Sequence, residues 1–191
     1  MNSKVDMFIQ TNEQSCDLEL SDRDLYFMKY ALSLAKRAEI QGDIPIGAVL
    51  VDKLGQVIGE GWNSSILMND PTAHAEIQAI RQAGQRLGNY RLLETTLYVT
   101  LEPCPMCAGA ILHSRIGRLV FGTSDYKTGA IGSRFHLFED YKMNHILKIR
   151  GGVLNAQCRQ QISQFFQKRR SQKKRLKGAR GVYNTPVQSS S

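Results

Sequence analysis

The sequence predicts a three-layer α/β/α sandwich in which one five-stranded sheet lies between layers of helices. Two observations support this fold class. Short apolar or β-branched runs alternate along the chain with longer segments of helical period, and 191 residues suffice for one domain with a substantial core. We expect the domain at residues 21–170, preceded by a polar, disordered extension at 1–20 and followed by a basic tail at 171–191.

The amino-terminal half predicts a helix, a β-hairpin and a second helix. Ser21 is a suitable N-cap for the first helix, whose apolar stripe ends near Gly42. Two apolar runs, 45–51 and 57–62, enclose a polar turn and predict the hairpin. The second helix begins near His74. The residues that recur there at helical period are Ile77, Ile80, Gly84 and Leu87.

The carboxyl-terminal half predicts three more strands and two more helices. The strands are expected at 96–100, 119–122 and 146–149. The first of them leads into a helix that extends to about Ser114, and the last helix begins at the N-cap candidate Asn155. Between the second and third strands, residues 123–132 form a glycine-containing loop of the kind that often carries functional side chains.

The net charge of +8 has its whole excess at the carboxyl terminus. From residue 166 onward there is no acidic residue, and the basic residues are Lys168, Arg169, Arg170, Lys173, Lys174, Arg175, Lys177 and Arg180. Such a cluster favours a polyphosphate partner. The alternative is a solvated tail without a dedicated partner.

The cysteine content and hydropathy indicate a soluble protein of the cytoplasm. Four cysteines do not make a disulfide scaffold in a chain of this length, and two of them lie in a motif typical of metal-binding thiolates. The amino terminus has no basic segment followed by an apolar run, and the longest apolar stretches are far shorter than a bilayer span. We therefore expect no membrane partner.

Two short motifs about thirty residues apart carry the chemistry: residues 74–76, His-Ala-Glu, and 103–107, Pro-Cys-Pro-Met-Cys. One imidazole and two thiolates suit a tetrahedral zinc, and three protein ligands leave the fourth position open for water. Both motifs lie where a helix should begin, and residues i and i+2 of a helix do not share a side. His74 and Glu76 can therefore both reach only a metal beyond the helix end. The sequence predicts a catalytic zinc bound by His74, Cys104 and Cys107.

Other interpretations of these residues stay open. A Cys-x-x-Cys pair alone can be a redox pair or half of a structural zinc site. A zinc ribbon needs a second close pair, however, and Cys16 and Cys158 lie far apart. The remaining alternative is a structural zinc closed by a fourth ligand such as His113.

The combination of His-x-Glu and Pro-Cys-x-x-Cys resembles the zinc-dependent nucleobase deaminases. Further segments resemble the bacterial tRNA-specific adenosine deaminases, at Ile44–Val49, Gly59–Asn63, Asp70–Glu76, Asn89–Leu92 and Leu97–Gly132. The resemblance covers roughly residues 25–170. It implies the cytidine-deaminase-like sandwich with a mixed sheet, and a homodimer with one zinc ion per subunit.

The same resemblance implies hydrolytic deamination of adenosine to inosine at the wobble position of a tRNA anticodon stem-loop. Glu76 resembles the general acid/base of the family. Asn63 matches a position that hydrogen-bonds the purine, and Asp125 matches one that lies against the ribose beside the target nucleotide. The simpler roles are a turn cap for Asn63 and a turn-shaping surface residue for Asp125. Two rival functions are a free nucleobase or nucleotide deaminase and a non-catalytic, zinc-stabilised RNA-binding subunit.

Overall fold

The computed structural model describes residues 21–140 and 145–182, without the side chains of 139, 140 and 177–182. The helices are α1 Asp22–Ile40, α2 Ser65–Met68, α3 Ala75–Leu87, α4 Pro105–His113, α5 Leu137–Asp140 and α6 Asn155–Val182. The strands are β1 Gly47–Val51, β2 Val57–Trp62, β3 Thr96–Leu101, β4 Arg118–Thr123 and β5 Lys148–Arg150. The predicted extension at 1–20 and the last part of the predicted tail, 183–191, lie outside the described residues.

The five strands form one mixed sheet in the order β2-β1-β3-β4-β5. Strand β1 is antiparallel to both β2 and β3, whereas β3, β4 and β5 are parallel to one another. The predicted hairpin, the predicted sheet and its place between helices are confirmed. The carboxyl ends of β3 and β4 lie side by side, and the open edge that they form is where ligands usually bind in α/β sheets.

The two faces of the sheet carry separate apolar cores. Alternate residues of a strand point to opposite faces, so Leu97 and Val99 of β3 join one cluster and Tyr98 joins the other. The first cluster includes the buried alanines of α3 and Ile111 of α4. The second includes the apolar face of α1 and Cys158 of α6. Helices α3 and α4, which carry the two motifs, therefore share one side of the sheet.

Helix α3 packs unusually close to the edge strand β2. A Cβ atom on Gly59 would lie 2.2 Å from the carbonyl oxygen of Ala79, and one on Gly61 would lie 2.0 Å from that of Ala75. Only small side chains fit such an approach, so the buried apolar residues of α3 are Ala75, Ala79 and Ala83. Of the residues that recur there at helical period, Ile80 is partly buried against the same core, whereas Leu87 is exposed.

A buried charge network ties α1 to the far face of the sheet. Asp24 is fully buried and accepts hydrogen bonds from both terminal nitrogens of Arg118, at 2.7 Å each, and from the Tyr98 hydroxyl at 3.0 Å. Arg150 lies 3.5 Å from the same carboxylate. Burial by itself raises the pKa of Asp24, but the Arg118 hydrogen bonds and charge outweigh burial and hold this pKa below its ordinary value.

Two predicted boundaries differ from the structure. The last strand begins at Lys148, because Ile146 is exposed and β5 pairs only with Arg118–Val120 of β4. Helix α6 does not end where the tail was expected to begin but continues to Val182. From residue 166 to 176 all its side chains are exposed, so this part of the helix leaves the body of the domain.

Candidate active site

The histidine motif is positioned by the start of α3. His74 is the N-cap residue, with extended backbone dihedral angles, and its own side chain makes no capping hydrogen bond. Asn63, at the end of β2, supplies the cap instead, because its Oδ1 atom accepts the Ala75 N–H at 2.9 Å. The imidazole is therefore left to point beyond the end of the helix, as the sequence predicts.

The cysteine motif has the same arrangement at the start of α4. Cys104 is the N-cap residue, Pro105 occupies the first turn, and Cys107 follows one turn later. The His74 Nδ1 atom lies 3.7 Å from the Cys104 sulfur and 3.4 Å from the Cys107 sulfur. All three ligand atoms lie within 4.8 Å of one another.

These distances suit a zinc ion. With Zn–S bonds of about 2.3 Å and Zn–N bonds of about 2.0 Å, tetrahedral ligand atoms lie about 3.5–3.8 Å apart. The separations of 3.4 and 3.7 Å between His74 Nδ1 and the two sulfurs fall close to that range without any movement of the chain. The donor set, two sulfurs and one imidazole nitrogen, is also one that zinc prefers. The residues present therefore fit zinc and leave one of its four positions without a protein ligand.

The predicted alternative of a closed structural site is not supported. Among the described residues, the group that could hold a metal at this position consists of His74, Cys104 and Cys107. His113 is exposed and lies at the opposite end of α4, about 13 Å along the helix axis from Cys104. Cys158 is buried on the other face of the sheet, and Cys16 lies outside the described residues.

Two thiols and an imidazole lie close enough to share protons. The hydrogen bond from Cys107 lowers the pKa of Cys104 to about 4, and the His74 ring acts in the same direction. The same hydrogen bond, together with burial, raises the pKa of Cys107. The hydrogen bond to Cys104 also raises the pKa of His74. Cys104 is therefore the readier thiolate, and a cation bound here releases the protons that the group holds.

Glu76 is a buried carboxyl group beside the three ligands. It lies in the first turn of α3 and is 4% exposed. Burial raises the pKa of Glu76 to about 7, against the smaller opposing effects of a backbone N–H and the His74 ring. A carboxyl group with a pKa near neutrality can both accept and donate a proton, which is what a general acid/base requires.

Asn63 and Asp125, the two predicted substrate contacts, each make hydrogen bonds within the protein. Asn63 is buried, and its oxygen caps α3. Its amide nitrogen keeps two donors for which the described residues supply no partner. The Asp125 carboxylate accepts hydrogen bonds from the backbone N–H groups of Lys127 and Thr128 and from the Thr128 hydroxyl. Asp125 therefore shapes its own loop, while its Oδ2 atom can still accept a further donor.

The sequence analysis did not single out two buried carboxylates that organise the surroundings of the site. Asp43 is 1% exposed and accepts the N–H groups of Ile66 and Leu67, which fixes α2. Glu102 is 2% exposed and accepts three backbone N–H groups of the loop after β4. For Glu102 the available signal was its place next to the cysteine motif. The backbone N–H groups that these two carboxylates bind lie more than 20 residues away in the sequence, so local patterns do not reveal the contacts.

Comparison with known proteins assigns the chain to a family. Residues 21–123 match the family described as the cytidine and deoxycytidylate deaminase zinc-binding region. The chain belongs to this deaminase family. The matched region contains all three predicted zinc ligands and Glu76, and it ends at the last residue of β4.

Individual relatives show which members of the family this chain resembles. The tRNA-specific adenosine deaminase of Haemophilus influenzae is 66% identical over 154 residues, which cover 81% of this chain and 89% of that protein. A solved structure from work on A-to-I editing by tRNA:A34 deaminases at the wobble position of transfer RNA is 43% identical. Its TM-score is 0.68, with 71% of this chain and 98% of that chain covered. The guanine deaminase of Bacillus subtilis is 38% identical, with a TM-score of 0.50 and coverage of 62% and 76%.

Proposed function

We propose that this deaminase converts adenosine to inosine at the wobble position of a tRNA anticodon stem-loop, releasing ammonia. The observation that carries the proposal is the group of His74, Cys104 and Cys107 beside buried Glu76. This group lies in a chain that is 66% identical to a tRNA-specific adenosine deaminase. When bound, zinc supplies Lewis-acid activation of water, whose pKa it lowers to about 7.

The residues of the chain supply placement and proton transfer. Glu76 accepts one proton from the attacking water and passes it to N1 of the purine. It then takes the second proton from the new C6 hydroxyl group and gives it to the amine as the C6–N bond breaks. The balance is adenosine plus water giving inosine plus ammonia. Asn63 donates its free amide N–H to the purine, and Asp125 lies against the ribose. The target base leaves the stack of a single-stranded loop at low cost, which makes an anticodon loop a suitable substrate.

An RNA substrate is favoured over a free base by the charge on α6. The guanine deaminase similarity shows that this fold also serves a free-base enzyme. A free base, however, has no phosphates, whereas the exposed part of α6 carries basic side chains and no acidic ones. Among the described residues, no helix combines the length and hydropathy needed to cross a bilayer.

The test is to incubate the zinc-loaded protein separately with tRNA, an anticodon stem-loop and free adenosine or guanine, and to measure inosine or xanthine. Inosine from both RNA substrates, with little from free adenosine, supports the proposal. Turnover of free adenosine or guanine without turnover of either RNA would refute it in favour of the free nucleobase or nucleotide enzyme. Zinc binding and RNA binding without any turnover would indicate the non-catalytic subunit.

The proposal includes a homodimer in the cytoplasm. Three consecutive exposed apolar side chains, Ile66, Leu67 and Met68, lie on α2, and Met106 is exposed at the start of α4. Exposed apolar side chains that cluster are typical of an interface. Among the described residues, Cys104, Cys107 and Cys158 form no disulfide, which suits a reducing compartment in which thiolates stay available to a metal. Sedimentation equilibrium of the wild type and of Leu67→Glu tests the dimer, which the charge should dissociate; a monomeric wild type would refute it.

A further inference from the structure

A single buried carboxylate holds the loop that follows β4. Glu102 comes directly after β3, two residues before Cys104. Its Oε1 atom accepts the N–H groups of Ile131 and Ser133, at 2.9 and 3.1 Å. Its Oε2 atom accepts the Asp125 N–H at 3.0 Å. Both ends of the loop 124–133 are therefore tied to one side chain.

Two further contacts make this attachment close. The Ala130 N–H donates to the Pro103 carbonyl oxygen at 2.8 Å, on the residue that precedes Cys104. Gly129 packs directly on the carboxylate, because a Cβ atom there would lie 2.5 Å from both Cδ and Oε2 of Glu102. The loop backbone and the cysteine-bearing turn thus form one packed unit, in which the loop has no room to shift towards Glu102.

The loop 124–133 and the cysteine-bearing turn lie at the edge of the sheet where a substrate is expected to bind. Strands β3 and β4 are parallel neighbours, and Leu101 pairs with Thr123 at their carboxyl ends. Beyond these ends, β3 leads to Cys104 and β4 leads to the loop. The cleft outside the carboxyl ends of such strands is where α/β proteins bind ligands, so the loop lines the space above the zinc ligands.

We infer that Glu102 is a positioning residue for the substrate. Its carboxylate holds the loop 124–133, including Asp125, against the cysteine-bearing turn, so that the loop is ordered before RNA arrives. Without the carboxylate, three backbone N–H groups lose their partner, and ordering the loop becomes a cost of binding. The identity of the substrate as RNA rests on the proposed function, whereas the ordering of the loop does not.

The test uses two variants that weaken the same attachment in different ways. Glu102→Gln keeps the shape of the side chain but replaces one carboxylate oxygen with an N–H₂ group. This group cannot accept a hydrogen bond from the backbone N–H that faced the oxygen. Gly129→Ala leaves Glu102 intact, but its added Cβ atom would lie 2.5 Å from the Glu102 carboxylate and 2.5 Å from the Asp125 carbonyl oxygen, so that it disturbs the packing of the loop both on Glu102 and on itself. The matched control is Glu94→Gln, the same change at an exposed glutamate whose partner is the surface residue Lys53.

Three measurements distinguish positioning from a general loss of structure: zinc content, hydrogen–deuterium exchange of residues 124–133, and Kd, KM and kcat with the stem-loop. In both variants we expect full zinc content and faster exchange confined to the loop. We expect Kd and KM to rise about tenfold, the effect of one lost charge-assisted hydrogen bond, with kcat changed much less. The control should match the wild type.

Several results would overturn the inference. Unchanged exchange in the loop would show that Glu102 does not order it, and loss of zinc by both variants would show that it acts on the metal ligands. A fall in kcat with unchanged Kd and KM would exclude a substrate-positioning role. If the wild type makes no inosine, the proposed function fails, but the exchange rates and the Kd for RNA still decide whether Glu102 positions the loop.

Discussion

At the scale of single residues, Glu76 is the group on which turnover should depend most. We expect Glu76→Gln to bind zinc normally and to lower kcat about 10²–10⁴-fold or more, because a carboxamide keeps the shape of the side chain and cannot transfer protons. The measurement is inosine formation on the stem-loop, with zinc content determined in parallel. Near-normal inosine formation by a zinc-loaded Glu76→Gln protein would contradict the assignment.

Each of the three proposed zinc ligands should be needed for zinc binding. Cys107→Ala, and equally His74→Ala or Cys104→Ala, should release the metal, because the described residues contain no fourth donor in this group. Thermal stability should fall as well, since the ion joins the ends of α3 and α4. Metal analysis of the purified proteins checks the first effect and calorimetry the second. Stoichiometric zinc in Cys107→Ala would show that another residue completes the site.

Asp125 is the residue through which the loop could distinguish RNA from DNA. Its Oδ2 atom can accept one more hydrogen bond, which a ribose 2′-hydroxyl supplies and DNA does not. In a DNA complex this donor is missing while the negative charge lies near phosphates, so Asp125→Asn should lower the preference for RNA mainly by improving DNA turnover. The measurement is kcat/KM on matched RNA and DNA hairpins.

The turn around Asp125 should survive this substitution. An asparagine can keep the oxygen that accepts the Lys127 and Thr128 N–H groups, and the Thr128 hydroxyl can reverse to accept from its amide. Hydrogen exchange of the loop provides the control. An RNA-to-DNA ratio equal to that of the wild type would leave Asp125 with a turn-shaping role alone.

At the scale of elements, α6 combines two parts with different surroundings. Its first part packs on the sheet through Cys158, and Phe165 is also buried. Lys168 then pairs with Glu39 of α1 at 2.8 Å, and from there to residue 176 the helix is exposed and basic. The helical conformation fixes the spacing of these cations at about 1.5 Å of rise per residue, so they are displayed in a defined arrangement along the helix.

Removal of residues 171–191 should weaken tRNA binding and flatten its dependence on salt. Each lost phosphate contact lowers the slope of log affinity against log salt by about 0.7 for single strands and 0.9 for duplex. Zinc content and turnover at saturating RNA should not change, because the ligands lie on α3 and α4. Binding isotherms at four salt concentrations check this expectation, and an unchanged slope would mean that the segment is only a solvated extension.

At the scale of the whole molecule, the Asp24 network joins α1 to three strands and should control acid stability. The folded pKa of Asp24 is below its unfolded value of about 3.9. The ionised form therefore stabilises the fold fully above that unfolded pKa, and the stabilisation is lost as pH falls through the folded pKa. Asp24→Asn should lower the free energy of unfolding at pH 7 by about 3 kcal/mol or more, because Arg118 loses its partner.

Denaturant unfolding from pH 7 to pH 3 measures this effect as a difference between the two proteins. The difference should shrink at the acid end of the range, where the wild type begins to lose the same interaction. Loss of zinc at low pH lowers the stability of both proteins, so its effect cancels in the difference between them. A difference that stays constant over the whole range would assign the effect to packing or desolvation and not to the charge of Asp24.

The parts of the structure that depend on local patterns were predictable from sequence. The hairpin, the N-cap at Ser21 and the two motifs at helix starts follow from residues close together in the chain. The fully buried positions of α3, which are alanines, were not predictable, because they depend on how closely Gly59 and Gly61 let the helix approach. Glu102 was missed for the same reason, since its partners come from a distant loop. The extent of α6 was missed because its exposed part has no apolar period to count.

The pairing of β3 has a practical consequence for anyone refolding this protein. Cys104 follows three residues after Leu101, so a slip of β3 by one residue would displace the sulfur by about 3.3 Å, far beyond the roughly 0.2 Å tolerance of a metal–ligand bond. The same slip would turn Tyr98 away from Asp24. The fraction of chains that bind zinc tightly therefore equals the fraction in which the central strand has paired correctly. A zinc titration can serve as a direct assay of refolding yield.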